Sequence, residues 1–168
     1  MCGISGFFHY NSSTENKTNT LRQMLTRIKH RGPDESGIYL SDDIGLGSVR
    51  LSIIDLDTGT MPLSNSDDSI WIVFNGEIFN YIELREELLA KNYTFKTNSD
   101  TEVIIHLYQE YGPAFLNQLN GQFAIAIWDK NKQELFLARD RVGIRPLFYT
   151  NVGDSFVFAS EIKSLLEF

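Results

Sequence analysis

The chain has one cysteine in 168 residues, so it cannot form an internal disulfide, and such usage suits a reducing, cytoplasmic setting. Basic residues are outnumbered, 15 Lys and Arg against 22 Asp and Glu, and the net charge of -7 argues against a nucleic-acid surface. No apolar run is long enough to cross a membrane, and the first residues lack the basic n-region and apolar stretch of a signal peptide. Internal repeats and low-complexity tracts are missing. So are a metal-ligand cluster and a glycine-rich phosphate loop: Gly143 in Arg139-Asp140-Arg141-Val142-Gly143 stands alone and makes no dinucleotide signature. What remains is a chain 42% hydrophobic and 12% aromatic, enough to build one domain with a sizeable core.

Residues 3–10 read as an aromatic-rich strand carrying two glycines. After a polar stretch, Leu21, Met24, Leu25 and Ile28 recur at helical spacing until His30-Arg31-Gly32-Pro33 stops the helix. Residues 37–40, 46–54 and 70–74 read as strands, the last ending at Asn75-Gly76, with a polar loop over 55–69. Asn80 with Glu83, and Ser99 with Glu102, have the spacing of capping boxes. They open two helices, the first presenting Tyr81, Leu84 and Leu88, the second Ile104, Leu107, Tyr108 and Tyr111. Gly112-Pro113 ends the second, and a short helical turn covers 114–119. Short strands follow at 122–128, 134–138, 146–150 and 155–159, and residues 160–168 start another helix. This order predicts an α+β fold, antiparallel sheets packed face to face with helices outside.

Chemistry centres on the first residues. Removal of Met1 makes Cys2 N-terminal, with a thiol and a free α-amine in the same residue. An α-amine titrates near 8 and a thiol near 8.5, roughly, so the amine can act as base for its own side chain. The alternative is a small buried hydrophobe that happens to lie early in the chain. None of the three histidines has the setting of a thiol partner: His106 lies inside a helix, His9 just past the first strand, and His30 in a turn. That favours the amine as base.

Acyl transfer also needs donors aimed at a developing oxyanion. Asn75-Gly76 offers an amide side chain and a glycine N–H after a buried strand; the alternative is a plain hairpin turn. The residues that follow, Glu77-Ile78-Phe79-Asn80, lead into a helix instead of a returning strand. Arg50, set between Val49 and Leu51, must snorkel, pair or bind something. Asp100 at a helix start either caps it or binds, and Glu77 follows the Asn-Gly pair directly. One cation and two anions are what an α-amino acid ligand requires.

Six motifs in order then carry a resemblance: Cys2-Gly3-Ile4, His30-Arg31-Gly32-Pro33-Asp34, Arg50-Leu51-Ser52-Ile53, Asn75-Gly76-Glu77-Ile78, Ser99-Asp100-Thr101-Glu102 and Gly121-Gln122-Phe123-Ala124. Arg139-Asp140, Arg145-Pro146-Leu147-Phe148-Tyr149 and Ala159-Ser160-Glu161-Ile162-Lys163 continue it. Together they resemble a class II glutamine amidotransferase, an N-terminal-nucleophile hydrolase, most of all the N-terminal glutaminase domain of glutamine-hydrolysing asparagine synthetases. The resemblance implies a four-layer αββα sandwich of two antiparallel sheets over residues 1–168. It implies L-glutamine as substrate and Cys2 as nucleophile. Asn75 and the Gly76 N–H would form the oxyanion hole, Arg50 would take the carboxylate, and Asp100 and Glu77 the ammonium. Backbone groups of Leu51, Ser52, Ile53 and Ile54 would line the pocket.

In that family a C-terminal synthetase domain receives the ammonia and adenylates the acceptor with ATP and Mg. Its Ser-Gly-Gly-type pyrophosphate loop is not found in these residues, so the chain is expected to be a truncated glutaminase half needing no cofactor of its own. A homodimer, an acceptor such as a sugar carboxylate, and a non-catalytic binding module of the same fold are alternatives left open by the sequence.

Overall fold

The computed structural model describes residues 1–51 and 59–168. The first strand, β1 (Gly3–Phe8), serves two layers by simple alternation: Ile4 faces one apolar cluster and Phe7 another. Helix α1 (Thr14–Arg27) begins where the Ser13 side chain accepts from Asn16 N, and it buries Leu21, Met24 and Leu25. A 3-10 turn, Lys29–Arg31, leads to β2 (Glu35–Leu40) and β3 (Ile44–Arg50). A two-residue strand β4 (Leu63–Ser64), inside the stretch expected to be loop, precedes β5 (Ile70–Ile78). Helices α2 (Tyr81–Ala90) and α3 (Asp100–Tyr111) follow, then a 3-10 segment Gly112–Asn117. Strands β6 (Gly121–Asp129), β7 (Glu134–Arg139), β8 (Phe148–Val152) and β9 (Ser155–Ala159) complete the sheets, and the short α4 (Ile162–Leu165) closes the chain.

Among the described residues the strands form two antiparallel sheets, ordered β2-β3-β1-β9-β8 and β4-β5-β6-β7. Ile4, Ile44, Leu46 and Phe158 of the first sheet meet Val73, Ala124, Ala126 and Trp128 of the second in the layer between them. On the outer face of the second sheet, Ile72, Phe74, Ile125 and Ile127 pack under Leu84, Leu88, Ile104 and Leu107 of α2 and α3. On the outer face of the first, Phe7 and Val157 pack under Leu21 and Met24 of α1. The expected four-layer αββα sandwich is therefore what forms, each sheet burying both faces. No helix among the described residues is long and apolar enough to cross a membrane.

Three local expectations fail for physical reasons. Strand β5 does not end at Asn75-Gly76: its pairing with β6 runs unbroken from Ile70↔Asp129 to Ile78↔Gly121. Asn80 caps nothing with its side chain; its amide bridges instead to Gln118 O at 3.0 Å and Asn120 N at 2.9 Å, tying the start of α2 to the loop before β6. Ser99 does cap α3, accepting from Thr101 N at 3.2 Å. Glu102 completes no reciprocal box: its carboxylate takes Lys96 N, Thr97 N and Thr97 Oγ1, holding the turn before the helix.

Candidate active site

One end of the inter-sheet space is left open, and the strands deliver its lining by register and alternation. Gly3 pairs with Val49, so Cys2 at the start of β1 and Arg50 at the end of β3 lie at the same end of the first sheet. Leu46 and Arg50 share one face of β3, which looks toward the second sheet, and Cys2, just before β1, packs against the cluster that holds Phe74 and Ile78 of that sheet. From that sheet Asn75 shares the inward face of β5 with Val73. The start of α3 brings Asp100 in alongside β5, where its Oδ2 accepts from Ile78 N at 3.1 Å.

The resulting cleft encloses about 80 Å³ and is lined by Cys2, Arg50, Leu51, Asn75, Gly76, Glu77 and Asp100, all expected from the sequence. Ser52, Ile53 and Ile54 lie outside the described residues. Met1 is itself one of the walls, so its departure enlarges the space at Cys2. The Cys2 thiol is half-buried and free, 3.7 Å from Leu51 O as donor. Its backbone carbonyl accepts from Arg31 Nε at 3.0 Å.

Asn75 is 1% exposed, yet among the described residues neither Nδ2 nor Oδ1 has a hydrogen-bond partner. A buried amide left unpaired costs about 1–3 kcal/mol, and such groups in native folds point to something that satisfies them in use. Gly76 adds a second donor. Just past β5 the Phe79 N–H goes to Asn120 O, on the β6 side, whereas the N–H of Ile78, the last residue of β5, goes to Asp100, on the opposite edge. Antiparallel alternation places the Gly76 N–H on the Asp100 edge as well. Phe123, opposite Gly76, spends its own N–H and carbonyl on Asp140. A Cβ at Gly76 would sit 2.1 Å from Gln122 O and 2.7 Å from Phe123 Cα, so only glycine fits beside that strand.

The charges are arranged around these donors. Arg50 is 5% exposed and bonds Glu35 through NH1 at 3.1 Å, its neighbour across the β2–β3 ladder. Asp100 is also 5% exposed, and burial pushes its carboxyl up to about 6; the Ile78 and Thr101 N–H groups pull the other way and the Glu77 carboxylate adds to the rise. Among the described residues no group of three or more His, Cys, Asp and Glu could hold a metal ion.

Arg145 also lines the cleft and was missed as a site residue. Its Nε is buried without a partner. Its backbone is fixed by Asp140, whose carboxylate accepts from Ile144 N and Arg145 N, and by Arg139, which donates to Gly143 O and Arg145 O. The sequence signal was the Arg139-Asp140…Gly143…Arg145 run, which gives no hint of which arginine turns inward.

Comparison with known proteins agrees with this geometry. The model of a family described as "Glutamine amidotransferase domain" matches residues 1–168. The chain is 50% identical over 168 residues to "Asparagine synthetase [glutamine-hydrolyzing] 1" of Bacillus subtilis (strain 168), which covers 99% of this chain and 27% of that protein. It is 42% identical over 180 residues to "Amidase chry2" of Gibberella zeae, covering 100% of this chain and 27% of the relative. The chain thus spans about a quarter of the length of these curated relatives. Among solved structures, glutamine phosphoribosylpyrophosphate amidotransferase from B. subtilis has the same fold at a TM-score of 0.81, with 24% identity, covering 98% of this chain and 43% of that one. With its whole length matched by that family model, the chain belongs to the glutamine amidotransferase domain family.

Proposed function

We propose that this domain hydrolyses the side-chain amide of L-glutamine to glutamate and ammonia, with Cys2 as nucleophile once Met1 is removed. The observation that carries the reading is Asn75: a buried amide with no partner of its own, facing the cleft that holds Cys2. The Cys2 α-amine takes the thiol proton, and Sγ attacks the glutamine Cδ. Asn75 Nδ2 and the Gly76 N–H hold the oxyanion. Collapse breaks the C–N bond, the amine's proton leaves with ammonia, and a γ-glutamyl thioester remains. Water, deprotonated by the same amine, then attacks the thioester carbon; the C–S bond breaks, glutamate leaves, and the amine returns its proton to the Cys2 sulfur. Arg50 takes the substrate carboxylate while Glu77 and Asp100 take its ammonium, a pairing of opposite charges that fixes the amino acid's direction.

The ammonia serves a synthetase domain C-terminal to this one, which uses ATP and Mg to activate the acceptor. The similarity to proteins named glutamine-hydrolyzing asparagine synthetases supports asparagine as the product of the whole enzyme, in a reducing cytoplasm. The test is glutamate release from glutamine by the Met1-processed protein and by its Cys2→Ala variant. Release by the first and none by the second is expected; equal rates would sink the mechanism.

A further inference from the structure

The Cys2 backbone is held from the far end of the chain. Ile4, two residues on, exchanges both of its backbone groups with Ser160: Ile4 N donates to Ser160 Oγ at 2.9 Å, and Ser160 N donates to Ile4 O at 2.8 Å. The next residue, Glu161, reaches Cys2 through one intermediary. Its Oε1 accepts from Arg31 NH1 at 3.0 Å, and Arg31 Nε donates to the Cys2 carbonyl at 3.0 Å. Glu161 also takes His30 Nε2 at 2.9 Å and Lys163 Nζ at 3.0 Å.

These partners are not equivalent. The His30 and Lys163 side chains are 56% and 50% exposed, and ion pairs there are worth little. The Arg31 side chain is 9% exposed, and its NH2 is buried without a partner. Glu161 is the one carboxylate it pairs with among the described residues, and a buried guanidinium stripped of its anion does not stay where it was. Burial pushes the Glu161 carboxyl up, but the donors of Arg31, Lys163 and His30 outweigh it and hold the group down at about 2, so it is anionic at any working pH. The Cys2 carbonyl carbon is bonded directly to the α-carbon that carries the amine and, through Cβ, the thiol. Rotation of that carbonyl therefore swings both groups relative to Asn75 and Gly76.

We propose that Glu161 is a positioning residue for the Cys2 nucleophile, acting through Arg31 to fix the Cys2 carbonyl and with it the direction of thiol and amine. This rests on the reading of Cys2 as nucleophile. Glu161 touches neither substrate nor reacting atoms, so its loss lowers the rate of attack and leaves glutamine binding in place. Misplacement of a reacting group by about 1 Å can cost on the order of a hundredfold in rate.

The test is alkylation of Met1-processed protein by a diazo-ketone analogue of glutamine, with the adduct mapped by mass and the fraction of reactive sites titrated. For Glu161→Ala the maximal inactivation rate per reactive site should fall about 10–100-fold, while the half-saturating analogue concentration stays within about threefold. Glu161→Gln keeps the volume and one acceptor and should lose about 3–10-fold, so a poorly folding alanine variant does not end the test. Lys163→Ala, which removes only one of the two exposed partners, should match the unsubstituted protein. A reduced fraction of reactive sites with an unchanged rate per site in both Glu161 variants would overturn the inference, since a merely structural role gives that result. Unsubstituted protein that forms no adduct at Cys2 would overturn the nucleophile assignment, and this inference with it.

Discussion

Replacing Asn75 by alanine separates catalysis from folding. Loss of one oxyanion donor costs about 2.7–4 kcal/mol in the transition state, so kcat for glutamine hydrolysis should fall about 10²–10³-fold. The proposed binding mode holds glutamine by Arg50, Glu77 and Asp100, so on that reading KM should move by less than about threefold. Stability should behave unlike that of an ordinary core truncation. A buried side chain cut to alanine usually costs about 2–5 kcal/mol. Asn75, though, has two buried polar atoms with no partner, and removing them recovers about 1–3 kcal/mol of desolvation. At the midpoints of these ranges the net cost is about 1.5 kcal/mol, a Tm change of about 3–6 °C for a domain of this size. Steady-state glutamate release and a thermal melt of the same preparation provide both numbers. A kcat within about threefold of the parent would remove Asn75 from the oxyanion hole. A Tm drop beyond about 10 °C would mean that the amide has structural partners after all.

Three further outcomes follow from the same cleft. Arg50→Ala should raise the glutamine KM about 10–100-fold with a smaller change in kcat, since a charge-assisted contact to the carboxylate is worth about 1.5–3 kcal/mol; initial rates across glutamine concentrations check this. The free Asp100 carboxyl, held at about 6, is neutral below that pH and cannot pair with an ammonium, so kcat/KM should fall as pH drops through about 6, and Asp100→Asn should flatten that limb while lowering kcat/KM at neutral pH. Stability runs the other way: the raised carboxyl binds its proton more tightly in the folded state, so the charged form costs roughly 3 kcal/mol at neutral pH, a penalty that fades as pH falls from about 6 toward 4 and that Asp100→Asn should relieve in urea melts. Gly76→Ala should cost at least about 1–3 kcal/mol in the same melts, because its Cβ would meet the backbone of β6.

Most of the fold was legible because hydrophobic alternation and helix spacing are local signals. The runs that became β1, β5, β6 and β9 are short, apolar and bounded by turn residues, and α1 and α3 show their buried faces at i, i+3 and i+4. What failed were signals that tertiary structure overrides. The Asn75-Gly76 pair looks like a turn, yet nine residues of pairing with β6 carry the strand through it. Asn80 and Glu83 have capping-box spacing, yet the Asn80 amide is drawn off by Gln118 and Asn120 nearly forty residues away.

The lining of the candidate cleft was legible residue by residue where the sequence carries unusual groups: a thiol beside a prospective α-amine, an arginine among apolar neighbours, a carboxylate at a helix start. Arg145 and Glu161 were not, because their roles depend on which way a turn or a segment start faces. Asp140 and Arg139 set the first, and Ser160 bonded to Ile4 sets the second. Nothing within a few residues of either position records that.

The most direct measurement is acid quenching of the Met1-processed protein during turnover of glutamine, followed by peptide mass mapping. The result expected is a γ-glutamyl increment on the peptide beginning at Cys2, labile to hydroxylamine as a thioester is, and absent when Met1 is retained. Turnover of glutamine with no such adduct at any quench time, or equal turnover with Met1 still attached, would contradict an N-terminal cysteine nucleophile.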